Sequence, residues 1–600
     1  MGVQKTYLRF PESIKYGSPI IRVVTTKCKA GCIKEDGKLV TRKSDALSKF
    51  VARGSNYSYD IEVFVGLQRF FHKKQRTEIQ DKLMLEHGIP ISTGEISVLA
   101  KRFVKHFEAL HFSRCKKLKE VMNNDGGYPL HIDATGEVGS GTVFVAYSGW
   151  RQWVLGAWRL TTECADQIKP CLEEVAKKFG MPCGIMRDLG RAMIPSVKNF
   201  VEKRSEKVII LSCHAHFLKD IGKDLLEPAY AKLRQGFRNY KIRGSLRELS
   251  RQWGQRLGSK AKQERKNIEK WAKGSDKRRI SSGATGLATL RSYAQWIIDY
   301  PDDSGNQRFP FELPYLDFYK RCKITRRAID AYLRNPPDDA YNLKSIKRLG
   351  KIIDPVISDS KFSECAKILT QRSSIFNELR KTLRLKPDPH TPEVDRSHSV
   401  EARISELQDI CKSMEEFKQS LHNRRPKRGP GIDIRKAIDL VLDHLDRHGD
   451  TLWGHVITLP ECAGGGIKIM DRTNNGLEFF FCILKRDERK RSGRKVLTQD
   501  MENLPPAAAL VQNLKHEDYV EILCGSIEEL PEAFHNLDAQ KCTEEEKRST
   551  ETKPIGKKHD SVETASLSKN DIKFVRSDFI VESINFAATS RAPRVDLVPF

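Results

Sequence analysis

Residues 128–162 read YPLHIDATGEVGSGTVFVAYSGWRQWVLGAWRLTT. The runs YPLHIDAT, GTVFVAYSG and WVLGAWRLTT are apolar or alternating and are separated by glycine-containing turns, which predicts three consecutive antiparallel strands. Further on, 166–180 and 191–203 have helical patterns, and CGIMRDLG (183–190) and KVIILSCHA (207–215) have strand patterns. Three strands followed by alternating helices and strands predict a mixed α/β sheet.

The length and charge of the chain restrict what surrounds this sheet. Six hundred residues are too many for one core, so several domains are expected. Lys and Arg exceed Asp and Glu by 27, with a pI near 9.4, which favours a polyanionic partner: nucleic acid first, an anionic membrane second. No apolar run reaches the roughly 20 residues that span a bilayer. The 14 scattered cysteines are typical of a reducing, cytoplasmic compartment.

The segment before the sheet has the pattern of two helices joined by a tight turn. QRTEIQDKLMLEH (75–87) is followed by Gly88, a suitable C-terminal cap, and then by STGEISVLAKRFVKHFEAL (92–110). Ser92 and Glu95 have the spacing of a capping box. A helix-turn-helix can place its second helix in a DNA major groove, or the hairpin can serve packing alone.

Two aspartates follow predicted strands, where functional groups of an open α/β sheet gather. Asp133 ends the first strand and Asp188 ends the fourth. A third acid, Glu478, stands in DRTNNGLEFFFCILKRDERKRSGRK (471–495), on a predicted helix that Asn474 or Asn475 can cap. The pattern places Leu477, Phe480, Phe481 and Leu484 on one packed face, and Glu478, Cys482, Lys485 and Arg489 on the adjoining stripe. From this spacing Glu478 is either a metal ligand or a solvent-facing acid.

These segments together resemble the DDE transposases of bacterial and archaeal insertion sequences, whose catalytic domain has the RNase H-like fold. HIDATG is similar to their first-Asp strand and IMRDLGRAM to the second. RTNNGLEFFFCILKRDERKRSGRK is similar to their third-acid helix, and LSCHAH to the C-x-x-H of Mutator-like and hAT-like elements. Glu461 and Asp471 are neighbouring alternatives for the third acid. The separation of 290 positions between Asp188 and Glu478 implies a large helical insertion.

The resemblance implies a site and a chemistry. Asp133, Asp188 and Glu478 are the expected catalytic residues and ligands of two Mg²⁺ (or Mn²⁺) ions ~3.5–4 Å apart, which support DNA cleavage and strand transfer. The expected DNA-binding cations are Lys485, Arg486, Arg489, Arg491 and Arg494. Cys213 and His216 form the C-x-x-H, which either binds a metal or orients a turn. His214 and Arg191 are candidates to contact DNA, and Arg187 is a candidate to pair with a carboxylate.

The expected fold is therefore α/β: an RNase H-like mixed sheet with a large all-α insertion, preceded by a helix-turn-helix region. The predicted divisions are an N-terminal segment in which Cys28 and Cys32 belong either to half a zinc site or to a degenerate ribbon or loop without metal (1–56), the helix-turn-helix (57–125), the first part of the catalytic domain (126–224), the basic insertion (225–460), the last catalytic helix (461–500), C-terminal helices (501–540) and a mostly disordered tail (541–600).

The expected partners are double-stranded DNA, both element ends and target, and further copies of the chain in a homodimer or higher assembly, with no membrane. The protein is expected in the cytoplasm, on the nucleoid when bound to DNA. Two alternatives stay open: a non-catalytic or domesticated DNA-binding protein of the same fold, and an RNase H-like nuclease without strand transfer.

Overall fold

The computed structural model describes residues 2–33, 41–43, 47–136, 142–204, 207–272, 282–299, 309–334, 343–385, 399–429 and 431–551, with only the backbone for 42, 43, 260–272, 282–285 and 541–551. The chain divides into two units, Met1–Lys541 and Cys542–Phe600. The second unit is described only as far as residue 551, where a helix ends.

The described strands and helices follow one another in this order along the chain. The strands are β1 (Gly2–Arg9), β2 (Ile21–Lys27), β3 (Thr41–Lys43), β4 (Pro129–Thr135), β5 (Thr142–Ser148), β6 (Trp153–Leu160), β7 (Gly184–Arg187), β8 (Ile209–Ser212), β9 (Val456–Thr458) and β10 (Ile467–Ile469). The helices are α1 (Tyr59–Gly66), α2 (Arg76–His87), α3 (Thr93–Ser113), α4 (Cys115–Asn124), α5 (Ala165–Phe179), α6 (Met193–Glu202), α7 (His214–Asn239), α8 (Ile242–Ala272), α9 (Ser282–Ile298), α10 (Pro314–Arg334), α11 (Leu343–Ser358), α12 (Ser360–Thr382), α13 (Val400–Arg424), α14 (Ile432–His448), α15 (Asn475–Ser492), α16 (Thr498–Asn503), α17 (Glu517–Cys524) and α18 (Leu530–Glu551).

The central feature is a five-stranded mixed sheet in the order β6-β5-β4-β7-β8. β5 runs antiparallel to β4 and β6, while β4, β7 and β8 are parallel to one another. The predicted sequence of three antiparallel strands, helix, strand, helix, strand is confirmed. Nearly every side chain of β4 and β5 is buried, which explains the continuous apolar run Val143–Tyr147 of β5. In β4 the buried side chains include the polar residues His131 and Asp133.

One consequence of this topology is that β4, β6 and β7 point in the same direction. Their C-terminal ends therefore lie at the same edge of the sheet, and the chain leaves that edge through the loops after Thr135, Leu160 and Arg187. Functional groups in open α/β sheets collect at such an edge.

The two helices predicted before the sheet are α2 and α3. Gly88, at φ 67°, ends α2 in the left-handed region that glycine adopts without strain. The Ser92 hydroxyl accepts a hydrogen bond of 3.1 Å from the Glu95 amide, as half of the predicted capping box. The fully buried Phe103 and Phe107 of α3 belong to the same core as the sheet. The DNA-binding role of the helix pair α2 and α3 stays a prediction.

A second core lies in the segment between the sheet and α15. Every described element from α7 to α14 is a helix, and their apolar faces form one cluster that runs from Phe217 to Leu452. Aromatic stacking contributes to it, for example between Phe237 and Phe318, whose ring centroids are 4.1 Å apart. The helical character predicted for this segment is confirmed for the described residues.

The remaining elements frame these two cores. β1, β2 and β3 form a small antiparallel sheet, and β9 and β10 form a hairpin just before α15. α18 extends to Glu551, into the predicted disordered tail, and residues 552–600 lie outside the described part of the chain. In the described residues no helix has the length and apolarity to cross a membrane.

Candidate active site

Asp133 and Asp188 are brought side by side by the pairing of two parallel strands. Leu130 lies opposite Ile185 and His131 opposite Met186. Extending that register by two residues aligns Asp133 with Asp188, which follows the end of β7. Asp133 lies two residues before the end of β4, at the strand end predicted for it. Neighbouring strands are about 4.8 Å apart, so the two carboxylates share one edge of the sheet.

Glu478 reaches the same place from the first turn of α15. His216, in the first turn of α7, has its Nε2 atom 3.4 Å from Glu478 Oε1. Possible ligand atoms of Asp133, His216 and Glu478 all lie within 4.8 Å of one another. A strand, the helix that follows β8 and a helix 290 residues after Asp188 therefore meet at one cluster.

The other two acids considered for the third position do not join this cluster. Glu461 is exposed in a short turn of 3-10 helix, and Asp471 is exposed with Oδ1 3.6 Å from an Arg403 nitrogen. Of the three candidates, Glu478 is the one that lies beside Asp133.

The electrostatics of the cluster are those of crowded carboxylates. Burial, followed by the neighbouring Asp188 carboxylate, raises the pKa of Asp133 to about 7, and Glu478 and Glu163 act in the same direction. The hydrogen bond of 2.7 Å that Asp133 accepts from the Ala134 amide only partly opposes this rise. A divalent cation bound at this place would stabilise the ionised form of the buried Asp133 carboxylate.

Glu163 is a further acid at this edge that the sequence analysis missed. A Cβ atom placed on Gly190 would lie 3.1 Å from Asp188 Oδ1 and 3.4 Å from Glu163 Oε1, so both carboxylates face that glycine. Burial and Asp188 together raise the pKa of Glu163. The position after β6 is the signal that identifies it, because β6 ends at the same edge as β4 and β7.

The loop after β7 holds Asp188 in a defined orientation. Its Oδ1 accepts a hydrogen bond of 3.0 Å from the Gly190 amide. Arg187 is buried and donates from Nη1 to the backbone oxygen of Asp188 at 2.8 Å. This hydrogen bond is to a backbone oxygen, whereas the prediction was a pair with a carboxylate. Arg191 is exposed next to this loop.

Cys213 and His216, the two residues of the C-x-x-H, make different contacts. His216 faces Glu478, whereas Cys213 is fully buried and its sulfur accepts a hydrogen bond of 3.3 Å from the Asn474 amide. Among the residues that the structure describes, Cys213 belongs to no cluster of metal-ligand geometry. His214 is also fully buried, with Nε2 2.8 Å from the Leu452 carbonyl, so the prediction that it contacts DNA is wrong.

The other candidate metal pair, Cys28 and Cys32, lies in the N-terminal segment. Their sulfur atoms are 3.2 Å apart and Cys32 is exposed. No third His, Cys, Asp or Glu of the described chain completes a ligand set there. The neighbouring residues 34–40 lie outside the described part.

The five cations predicted on and after α15 divide into two groups. Arg491 bonds to Glu488 and Asp500, each at 2.8 Å, and the Lys485 ammonium donates to the Gly136 carbonyl at 2.7 Å. These two therefore stabilise the fold in this structure. The exposed members are Arg486, Arg489 and Arg494.

The packed face of α15 is as predicted in its main residues. Leu477, Phe481 and Leu484 are buried in the sheet core, and Phe480 packs against it. The face fixes the rotation of the helix and so directs Glu478 to the edge of the sheet.

Comparisons with protein-family models and with curated proteins identify no relative of this chain. No family model matches the chain, and a search of the curated proteins finds no match.

Proposed function

We propose that the chain is a DDE-type transposase that cleaves DNA and transfers its strands with divalent metal ions. The observation that carries the proposal is the convergence of the acids: Glu478 and Asp133 lie in one cluster, and the strand register aligns Asp133 with Asp188. The sequence separates these residues by 55 and 290 positions, and the sequence resemblance singles them out independently of their geometry.

The arrangement of the sheet supports an RNase H-like catalytic domain. The strand order β6-β5-β4-β7-β8, with β5 alone antiparallel, is the order we expect of that fold. The acids lie in the first of these strands along the chain, directly after the fourth, and on a later helix. The helices α8 to α14 then correspond to an insertion between the last strand and the catalytic helix.

The residues present suit Mg²⁺ or Mn²⁺. Carboxylate oxygens are the ligands that these hard cations prefer. The raised pKa of Asp133 indicates that its ionised carboxylate lacks a compensating positive charge. Asp133, Asp188 and Glu478 would hold the ions, with His216 beside Glu478. When bound, a metal pair activates an oxygen nucleophile and stabilises the leaving oxygen in phosphodiester cleavage.

The chain's own residues supply the rest of the chemistry. Asp133 lies in one cluster with Glu478 and is aligned with Asp188 by the strand register, so it would hold a cation together with either acid when metal is bound. The Gly190 amide keeps Asp188 directed to the edge of the sheet. His216 is placed to orient the Glu478 carboxylate, since its Nε2 atom lies 3.4 Å from Glu478 Oε1. Burial lowers the pKa of His216 despite the nearby acids, which favours the neutral imidazole.

Exposed lysines beside the site offer contacts to DNA phosphates. Lys219 and Lys223 follow His216 on α7 at intervals of three and four residues, both are exposed, and both act on the His216 pKa through their charge. Asp220 and Asp224 lie on the adjoining stripe of α7, near His444 of α14. The helix thus separates a cationic stripe at the site from an acidic stripe at the insertion.

The test is a cleavage and joining assay with Mg²⁺ on DNA that carries the inverted repeats flanking the coding sequence. We expect nicking at the repeat ends and joining to target DNA by the wild type and by Glu461→Ala, and neither by Glu478→Ala. Full cleavage by Glu478→Ala would refute the assigned third acid.

The same assay separates the alternatives. Cleavage without joining identifies an RNase H-like nuclease, and DNA binding without cleavage identifies a non-catalytic DNA-binding protein. A homodimer or higher assembly belongs to the transposase proposal, because two element ends are joined together.

A further inference from the structure

Glu478 poses a positioning problem that the two aspartates do not. Asp133 lies in β4 and Asp188 directly follows its parallel neighbour β7, so the pairing of these two strands places both residues. Glu478 arrives after the whole helical insertion, on a helix whose first turn carries the carboxylate. Something other than the sheet ladder must hold that turn in register.

We infer that Asn474, together with His131 and Cys213, forms a clamp that fixes Glu478 relative to Asp133 and His216. Asn474 directly precedes α15 and is fully buried. Its backbone oxygen accepts the Glu478 amide at 2.8 Å, so the position of Asn474 sets the position of Glu478. These three are positioning residues, and the inference rests on the proposed function.

The side chain of Asn474 is bonded to β4, the strand of Asp133. Its Nδ2 donates to the Ile132 carbonyl at 3.1 Å, and its Oδ1 accepts from His131 Nδ1 at 2.9 Å. Ile132 and His131 are the two residues before Asp133. The side chain amide, with one donor group and one acceptor, thus ties α15 to the strand segment that carries the first acid.

The backbone of Asn474 is bonded to the start of α7, the helix of His216. Its amide donates to Cys213 Sγ at 3.3 Å. Two residues earlier, the Arg472 carbonyl accepts from the His214 amide at 3.0 Å. The connection before α15 is therefore bonded to the turn that presents His216.

The surroundings leave His131 little freedom to move. A Cβ atom on Gly149 would lie 2.5 Å from His131 Nε2, so the ring lies directly against that glycine. The ring is thus packed against the turn that follows β5, and its Nδ1 atom lies 2.9 Å from Asn474 Oδ1. The backbone of the turn at Gly149 therefore packs against the side of the His131 ring that carries Nε2.

The chain offers a matched control in the next residue. Asn475 has the same side chain but is exposed, and within the described part of the chain its side chain makes no hydrogen bond to β4 or α7. The expected N-terminal capping by an asparagine is wrong in its mechanism, because Asn474 occupies the cap position without a side-chain hydrogen bond to α15. Asn474 uses its side chain on the sheet instead.

The experiment measures Mg²⁺-dependent cleavage and Mn²⁺ binding in Asn474→Ala and Asn475→Ala of the full chain. We expect Asn474→Ala to raise the Mg²⁺ concentration for half-maximal cleavage and the Kd for Mn²⁺ by about 10- to 100-fold, the range found when groups that orient metal ligands are removed. Asn475→Ala is expected to match the wild type. Equal Mg²⁺ and Mn²⁺ dependence in wild type and Asn474→Ala would overturn the inference.

A second pair of variants covers the case in which Asn474→Ala does not fold. Cys213→Ser keeps an acceptor for the Asn474 amide and is expected to restore most of the Mn²⁺ affinity that Cys213→Ala loses. Equal Mn²⁺ affinities for Cys213→Ser and Cys213→Ala would contradict the clamp.

Hydrogen exchange separates failure of the clamp from failure of the proposed function. The Glu478 amide is expected to exchange faster in Asn474→Ala, or in Cys213→Ala, than in Asn475→Ala, even if the wild type neither cleaves DNA nor binds Mn²⁺. Unchanged exchange at Glu478 in both clamp variants refutes the clamp. Absent metal binding with changed exchange refutes the metal site alone.

Discussion

The sheet core and the core of the helical insertion are built from the chain in different ways. The sheet core draws on residues from Ala52 to Leu537, so its strands and helices come from both sides of the insertion. The insertion core draws on the single stretch from Phe217 to Leu452. The first therefore requires contacts between distant segments, whereas the second is comparatively local.

This difference bears directly on the candidate site. Asp133 and Asp188 precede the insertion, and Glu478 follows it. The site is complete only when the chain returns from the insertion core to the sheet core. The segment before Glu478 also contacts the insertion, since the Arg472 guanidinium donates to the Leu383 carbonyl at 2.8 Å.

The largest expected effect concerns the acids themselves. We expect Asp133→Ala, Asp188→Ala and Glu478→Ala each to lower the cleavage rate by about a thousandfold or more, because a metal ion supplies several kcal/mol of transition-state stabilisation. Single-turnover cleavage measures this. Glu461→Ala is the control, and DNA affinity is expected to change little in all four. Loss of activity in Glu461→Ala to the same extent would point to a different third acid.

Cavity-forming substitutions in the two cores test whether the sheet core and the insertion core unfold independently. Phe103→Ala and Phe237→Ala each remove a buried ring, 0% and 3% exposed, and are expected to cost about 3–5 kcal/mol. Hydrogen exchange is expected to rise in β4 and β5 for Phe103→Ala, and in α7, α10 and α12 for Phe237→Ala. A rise over both cores in both variants would show that they unfold as one.

A buried ion cluster in the sheet core gives a pH-dependent test. His106 lies between Glu62, 2.6 Å from Nδ1, and Asp538, 3.1 Å from Nε2. Burial lowers its pKa, but the hydrogen bonds to the two carboxylates outweigh burial and raise it to about 9. Because the folded-state pKa is raised above 6.5, this stabilisation is complete below pH 6.5 and is lost as pH rises through 9.

The pKa difference corresponds to at most about 3 kcal/mol. We expect the stability advantage of the wild type over His106→Gln, measured by denaturant unfolding, to be largest below about pH 6.5 and to shrink up to about pH 10. The insertion variant Phe237→Ala serves as a control, because its deficit is expected to be independent of pH over that range. A constant advantage for His106 would contradict a charged ring.

The smallest expected effect concerns the lysines of α7. Lys219→Ala with Lys223→Ala is expected to weaken DNA binding and to lower the slope of log K against log salt by about 2, because each lysine is expected to neutralise one phosphate. Lys361→Ala with Lys367→Ala, exposed on α12, removes the same charge in the insertion. Equal loss of affinity in both pairs would show that only net charge matters.

The sequence predicted the sheet region well for a physical reason. Its strands are short buried runs between turns, and Asp133 and Asp188 lie near or directly after the ends of two of them. The packed face of α15 was readable for the same reason, since Leu477, Phe481 and Leu484 repeat at helical spacing.

The parts that the sequence did not predict depend on contacts between distant segments. Glu163 follows β6, and its closeness to Asp188 becomes visible only once the strand order places both ends at one edge. The prediction that His214 contacts DNA fails because the side chain is buried against the Leu452 carbonyl, which lies 238 residues further along the chain. Arg491 was assigned to DNA from its charge, and its pairing with Asp500 depends on α16.

The central claim is that Asp133 and Glu478 hold divalent cations together. Titration of Mn²⁺ into the full chain, with free Mn²⁺ followed by electron paramagnetic resonance, tests it most directly. The account predicts saturable binding by the wild type, a much weaker affinity in Asp133→Asn and Glu478→Gln, and an unchanged affinity in Glu461→Gln. Equal Mn²⁺ binding by all four proteins would contradict it.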